Sequence, residues 1–166
     1  MVFVLIVFAD ISENIICLLM AENRQIIKSI HEKICYHLYS TKNCSLHFKK
    51  MRRKTKLRLL SFIKNHSELF RNIIICILVV KGKMKSKSRK IMNEIRRIIS
   101  EGRSIRKFIV PRDFEKFVKD FKTSFENIVE EIIENEREDG TELADILANY
   151  YRITRERNLF REIILI

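Results

Sequence analysis

Asp10 closes the apolar run of residues 2–9, and no charged side chain precedes it. A carboxylate at the end of a buried strand is costly to desolvate unless it is paired or holds a cation, which makes Asp10 a candidate metal ligand. Asp also favours turns, so a turn-forming role at a strand end is the alternative. A second acidic set lies far along the chain. Glu142, Asp145, Asn149 and Arg152 recur at helical spacing beside an apolar face of Leu143, Ile146, Leu147 and Tyr150. Ala144 and Ala148, four apart on the same segment, suit close packing against a sheet, which would bring the polar stripe to a strand end. The alternative is a solvated helix face. His31, Cys35, Cys44 and His47 are the right residue types for zinc. Their spacing matches no common finger, and Cys35 borders an apolar face.

Basic residues gather in the middle of the chain. Lys49, Lys50, Arg52, Arg53, Lys54, Lys56 and Arg58 form a dense run. Phosphate contact is one reading of it and a solvated helix face the other. Residues 42–107 hold 21 Lys and Arg against 3 Asp and Glu, a net of about +18, whereas residues 108–147 hold 5 against 12, a net of about −7. The whole chain carries a formal charge of +12. Such an excess favours an anionic partner: nucleic acid, a membrane surface or an acidic protein.

These residues need a scaffold, and the periodicities predict one. Residues 2–9 and 14–21 read as a hairpin of buried strands, turning at residues 10–13. Residues 23–39 switch to helical spacing through Ile27, Ile30, Ile34 and Leu38. Residues 53–64 and 88–100 read as helices, residues 72–80 as a central strand and residues 105–110 as a short strand. Pro111 opens a further helix with an apolar stripe of Phe114, Phe117, Val118, Phe121 and Phe125. Residues 127–134 suit either helix or strand. Thr141 is a good N-cap for a last helix over residues 142–157. The chain then ends in four apolar residues, 163–166, which suggests pairing with a second subunit (a homo-oligomer) or a chain cut short of a larger protein. A hairpin followed by alternating strands and helices gives an α/β fold, a mixed sheet flanked by helices, in a single domain of 166 residues.

The totals exclude other classes. The hydrophobic fraction of 46% argues against disorder. Residues 2–9 fall far short of the ~20 needed to span a membrane and lack a basic leader. The four cysteines form no CxxC pair, and Cys17 and Cys76 read as core residues. The expectation is a cytoplasmic protein without a membrane partner or a disulfide framework.

Leu143-Ala144-Asp145-Ile146-Leu147-Ala148 resembles the last-helix signature of the domain-of-unknown-function thirty-eight-hundred family, an RNase-H-like group. The first strand of that family ends in Asp followed by Glu-Ser-Gly. Here Asp10 occupies the matching place, but Ile11-Ser12-Glu13 follows. Leu46-His47-Phe48 is similar to another element of the family, and residues 109–113 fall where the family has a strand ending in Asp. The resemblance spans most of the chain in order and implies an RNase-H-like fold. It casts Asp10, Asp113 and Asp145 as catalytic carboxylates holding two divalent cations, Mg²⁺ or Mn²⁺, with Glu142 as a fourth ligand. The implied activity is nuclease or related phosphoryl transfer on nucleic acid, DNA or RNA, with the basic run on the phosphates. Because the first motif departs from the pattern, a non-catalytic nucleic-acid-binding or interaction module is the alternative.

Overall fold

The computed structural model describes residues 3–135 and 138–166. Six strands form one mixed sheet: β1 (Phe3–Ser12), β2 (Ile15–Ala21), β3 (Ile74–Val79), β4 (Arg103–Val110), β5 (Val129–Glu134) and β6 (Glu162–Leu165). Their order is β5-β4-β1-β2-β3-β6. β2 is antiparallel to both β1 and β3, while β4 is parallel to β1, β5 to β4 and β6 to β3. β2 is therefore the one reversed strand of the six.

Helices cover both faces: α1 (Arg24–Tyr39), α2 (Arg53–Asn65), α3 (Ser88–Ser100), α4 (Phe114–Phe117), α5 (Phe121–Phe125) and α6 (Asp139–Thr154). Side chains alternate across a strand, so β1 feeds two cores at once. Ile6 and Phe8 join the core under α1, α2 and α6. Leu5, Val7 and Ala9 join the core under α3, α4 and α5. Every residue of β2 is buried, as a central strand covered on both sides requires. Among the described residues no helix is long and apolar enough to cross a membrane.

The hairpin turn lies later than residues 10–13. Asp10, Ile11 and Ser12 remain in β1, paired with Cys17, Ile16 and Ile15, and the chain reverses at Glu13 and Asn14. Glu13 takes a left-handed φ of 55° there, which fits a tight two-residue hairpin. Asp10 is thus a strand residue and not a turn former. Val2, expected in this strand, lies outside the described residues.

The helix expected after Pro111 is broken into α4 and α5. Val118 is extended and Asp120 is left-handed at φ 60°. The Ser88 hydroxyl accepts the Lys119 N–H at 3.1 Å, satisfying a donor that the break frees. The break lets Phe121 meet Phe114 and Phe108 edge-on, at centroid distances of 4.7 and 5.0 Å, while Phe117 is left partly exposed. Residues 129–134 resolve as β5.

α6 begins at Asp139, three residues before the expected start, and Thr141 is not its N-cap. Thr141 is buried, and its hydroxyl donates to the carbonyls of Glu138 at 2.9 Å and Asn135 at 3.3 Å. The helix ends at Thr154, where Arg155 turns left-handed. The apolar chain end lies alongside β3 as β6, so it has a partner within its own sheet.

Gly140 sets how closely α6 approaches β1. A Cβ there would stand 2.1 Å from the Phe8 ring. Ala144 and Ala148 continue the close face and are fully buried. Gly140→Ala should therefore lower folding stability by about 1–3 kcal/mol, because neither ring nor helix can yield without disturbing a packed core. Urea unfolding of the variant should show a lower midpoint at an unchanged slope.

Candidate metal centre at the carboxyl ends of β1 and β4

β1 and β4 run parallel, with Phe8 opposite Ile109, so both end at the same edge of the sheet. Asp10 lies at that edge on β1, and Pro111 and Asp113 follow directly after β4. Sheet–helix folds of this kind place ligands outside the carboxyl ends of parallel strands. Here the edge opens into a cleft of about 640 Å³. Asp10, Asp113, Glu142 and Asp145 all line it, together with His47, Lys49 and Lys50. The four acidic residues expected to act together are brought to one place.

Asp10 and Asp145 form the centre. Asp10 is raised from 3.8 to about 8, first by burial, then by the charge of Asp145, with Asp113 adding to it. Asp145 is also raised by burial, opposed by the Phe48 N–H, by His47 and Lys49, and by Asn149. Two carboxylates this near each other in a half-buried setting need a proton or a cation between them. Asp113 is exposed at the start of α4 and sits at the rim.

Asp145 is held by its own helix and by the segment that carries the basic run. Phe48 N–H donates to its Oδ2 at 3.1 Å. Asn149, one turn on, donates from Nδ2 to Oδ1 at 3.1 Å and to the Asp145 carbonyl at 2.8 Å. The Asn149 Oδ1 in turn accepts from Ser12 Oγ at 2.9 Å and from Arg152 Nη2 at 2.8 Å. The polar stripe of α6 is thus no freely solvated face: Asn149 meets the end of β1, and Glu142 and Asp145 line the cleft. Ser12 and Asn149 are positioning residues that the spacing hinted at only for Asn149.

Glu142 faces the cleft but is engaged differently. Its Oε1 lies 2.6 Å from His31 Nε2 and accepts Leu46 N–H at 3.1 Å, and its Oε2 accepts Ser45 Oγ at 3.1 Å. It clamps α1 and the 45–46 segment to α6. His31, Asp139 and Glu142 have ligand atoms within 4.8 Å of one another. Of the three, His31 and Glu142 are in hydrogen-bond contact, and Asp139 lies 3.7 Å from the His31 Nε2.

The zinc set fails. Cys35 and Cys44 are joined in a disulfide, and disulfide sulfurs are poor zinc ligands compared with thiolates. The bond departs from the expectation of a chain without a disulfide framework, whereas Cys17 and Cys76 are free and buried, as core residues should be. The bond ties the end of α1 to the loop whose next residues reach Glu142 and Asp145.

The basic run divides by position. Lys49 and Lys50 line the cleft. Lys56 lies over the Phe48 ring at 5.0 Å, and Arg58 donates to the carbonyls of Leu38 and His37, joining α2 to the end of α1. Arg52, Arg53 and Lys54 are exposed around the start of α2.

Comparison with protein-family models, with curated proteins and with solved structures gives no match.

Two outcomes follow from this geometry. In chelator, unfolded Asp10 ionises near its ordinary 3.8 whereas folded Asp10 keeps its proton to about 8, so stability falls as pH rises through that window. Asp10→Asn should match the wild type near pH 4 and exceed it by on the order of 4–5 kcal/mol at pH 7–8, as read by urea unfolding at each pH. Separately, Cys35→Ser/Cys44→Ser should lose about 2–3 kcal/mol of stability in non-reducing buffer. The difference should vanish when the wild type is reduced with dithiothreitol.

Proposed function

We propose that the chain is an RNase-H-like, divalent-metal-dependent nuclease, or a related phosphoryl-transfer enzyme, acting on nucleic acid. The observation that carries this reading is the convergence of Asp10 and Asp145, from the first strand and the last helix, on one cleft walled by lysines. The strand order with β2 alone reversed supports the RNase-H-like assignment, as does the family signature around Asp145. The donor set fits the implied metal: the carboxylate oxygens of Asp10, Asp113 and Asp145 are the hard ligands that Mg²⁺ and Mn²⁺ prefer.

Asp10 and Asp145 would hold the cation, with Asp113 at the rim as a third ligand. When bound, such ions activate water and neutralise the charge that develops in an in-line displacement at phosphorus. The protein's own groups do the rest. The Phe48 amide and Asn149 fix the Asp145 carboxylate, and Ser12 fixes Asn149, so little reorganisation is left for the reaction. Lys49 and Lys50 hold the phosphates of the strand against the acidic floor without reading sequence. Glu142 keeps the segment bearing those lysines docked to α6, which is a positioning role in place of the ligand role implied by the resemblance.

Calorimetry should show wild-type protein taking up Mn²⁺, while Asp10→Asn and Asp145→Asn fold but take up little. Cleavage of single- or double-stranded substrate should fall at least ~100-fold in each variant, the scale expected when a preorganised electrostatic group is lost. Lys49→Glu/Lys50→Glu should weaken binding and lower the salt slope by about 2. Absence of Mn²⁺ uptake by the wild type would instead favour the non-catalytic binding module.

A further inference from the structure

A second concavity, of about 780 Å³, lies between the ends of α1 and α2, away from the carboxylates. Half of its lining residues, Tyr36, His37, Phe62 and His66, carry flat rings. His37, Phe62 and His66 form a stacked column, with centroid spacings of 4.3 Å on each side of Phe62 and interplanar angles of 25° and 27°. Tyr36 stands beside them, 64% exposed. The His66 ring is anchored by the Phe62 carbonyl, 2.9 Å from its Nδ1. Arg58 pins α2 to the end of α1 through the carbonyls of His37 and Leu38, which fixes the width of the groove. Burial, with Arg58 and His66 nearby, lowers the His37 pKa from 6.5, so its ring is neutral at physiological pH. None of these rings takes part in the carboxylate cleft.

The charge around the groove is cationic. Lys33 and Lys42 line it, with Glu32 as its one acidic wall residue. α2 carries Arg53, Lys54, Lys56, Arg58 and Lys64 and no acidic residue. Shared lining residues place the groove and the cleft on either side of a third depression. Lys42 and Glu32 line a shallow depression that includes Ser45, and Ser45 lines the carboxylate cleft. Leu69 is the sole aliphatic lining residue. Stacked rings flanked by ammonium groups match the bases and phosphates of a single strand.

We propose that Tyr36 and the outer faces of His37 and His66, backed by the buried Phe62 ring between them, form a base-stacking subsite for a single-stranded nucleic-acid segment, with Lys33 and Lys42 on its phosphates. This deepens the nucleic-acid reading of the cleft and rests on it. One strand would run from the carboxylates across the 42–45 loop into the groove, so the subsite would select substrates with an unpaired stretch beside the reacting phosphate.

The chain contains no Trp, so Tyr36→Trp installs a single indole reporter at an exposed position. In chelator, an oligothymidine of about 12 nucleotides should quench it, and an abasic oligomer of equal length should not. Tyr36→Ala should weaken oligothymidine binding about 5- to 10-fold in an anisotropy assay and leave abasic binding unchanged. If the oligomer binds, loses affinity in Lys49→Glu/Lys50→Glu, yet leaves the indole emission unchanged, the subsite is overturned and the cleft reading stands. If the indole is quenched but no metal-dependent cleavage is found, the subsite stands and the catalytic reading falls. Equal quenching by the abasic oligomer, or no oligomer binding at all, overturns the subsite. So does quenching by an acidic aromatic peptide in place of oligothymidine, which would assign the groove to a protein partner.

Discussion

Gly140 lies so close over the Phe8 ring that no side chain fits between them. This contact, continued by Ala144 and Ala148, lets α6 settle directly on β1. Without it Asp145 would stand away from Asp10, and Asn149 could not accept the Ser12 hydroxyl. The site is therefore a property of one helix–strand distance more than of any local motif. Small residues at three positions on one face of the helix set that distance.

Burying Asp10 and setting it beside Asp145 both penalise its charged form, burial first, and together push its pKa to about 8. The molecule offsets part of this penalty with the segment after α1. The Phe48 amide, His47 and Lys49 all favour the charged form of Asp145. Glu142 holds that segment down through Ser45, Leu46 and His31, and the Cys35–Cys44 bond ties its start to α1. The Asp145 carboxylate and the segment of residues 45–48 are thus bound to the same helix.

Much of the frame was legible because burial on both sides leaves unbroken apolar runs, as in β2 and β3, and because α1 and α3 keep strict helical spacing. Asp10 was legible as an anomaly: a lone charge at the end of such a run. The sequence could not say whether it turned the chain, since Asp serves both roles, and the pairing with Cys17 decides it. The stripe of Glu142, Asp145 and Asn149 was legible as a spacing, but only the fold distinguishes an inward face from a wet one. The break between α4 and α5 was hidden, because Phe114, Phe117, Phe121 and Phe125 satisfy helical periodicity and the Ser88 hydroxyl that stabilises the break is remote in sequence. The disulfide was hidden for a similar reason: Cys35 and Cys44 lie on either side of a left-handed helix end at Ser40, whose φ of 58° turns the chain back on itself.

The bond between Ser12 and Asn149 spans 137 positions of sequence. The β1–β2 hairpin is local and can form as soon as it is made, but Asp10 then waits for Asp145 until α6 has been synthesised. Ribosomal synthesis delivers residues 42–107, with 21 basic and 3 acidic side chains, before residues 108–147 with 5 and 12. The emerging protein accordingly passes through a strongly cationic stage that has its basic surface and lacks its paired carboxylates. Any interaction made by charge alone is open to the chain earlier in its life than any chemistry.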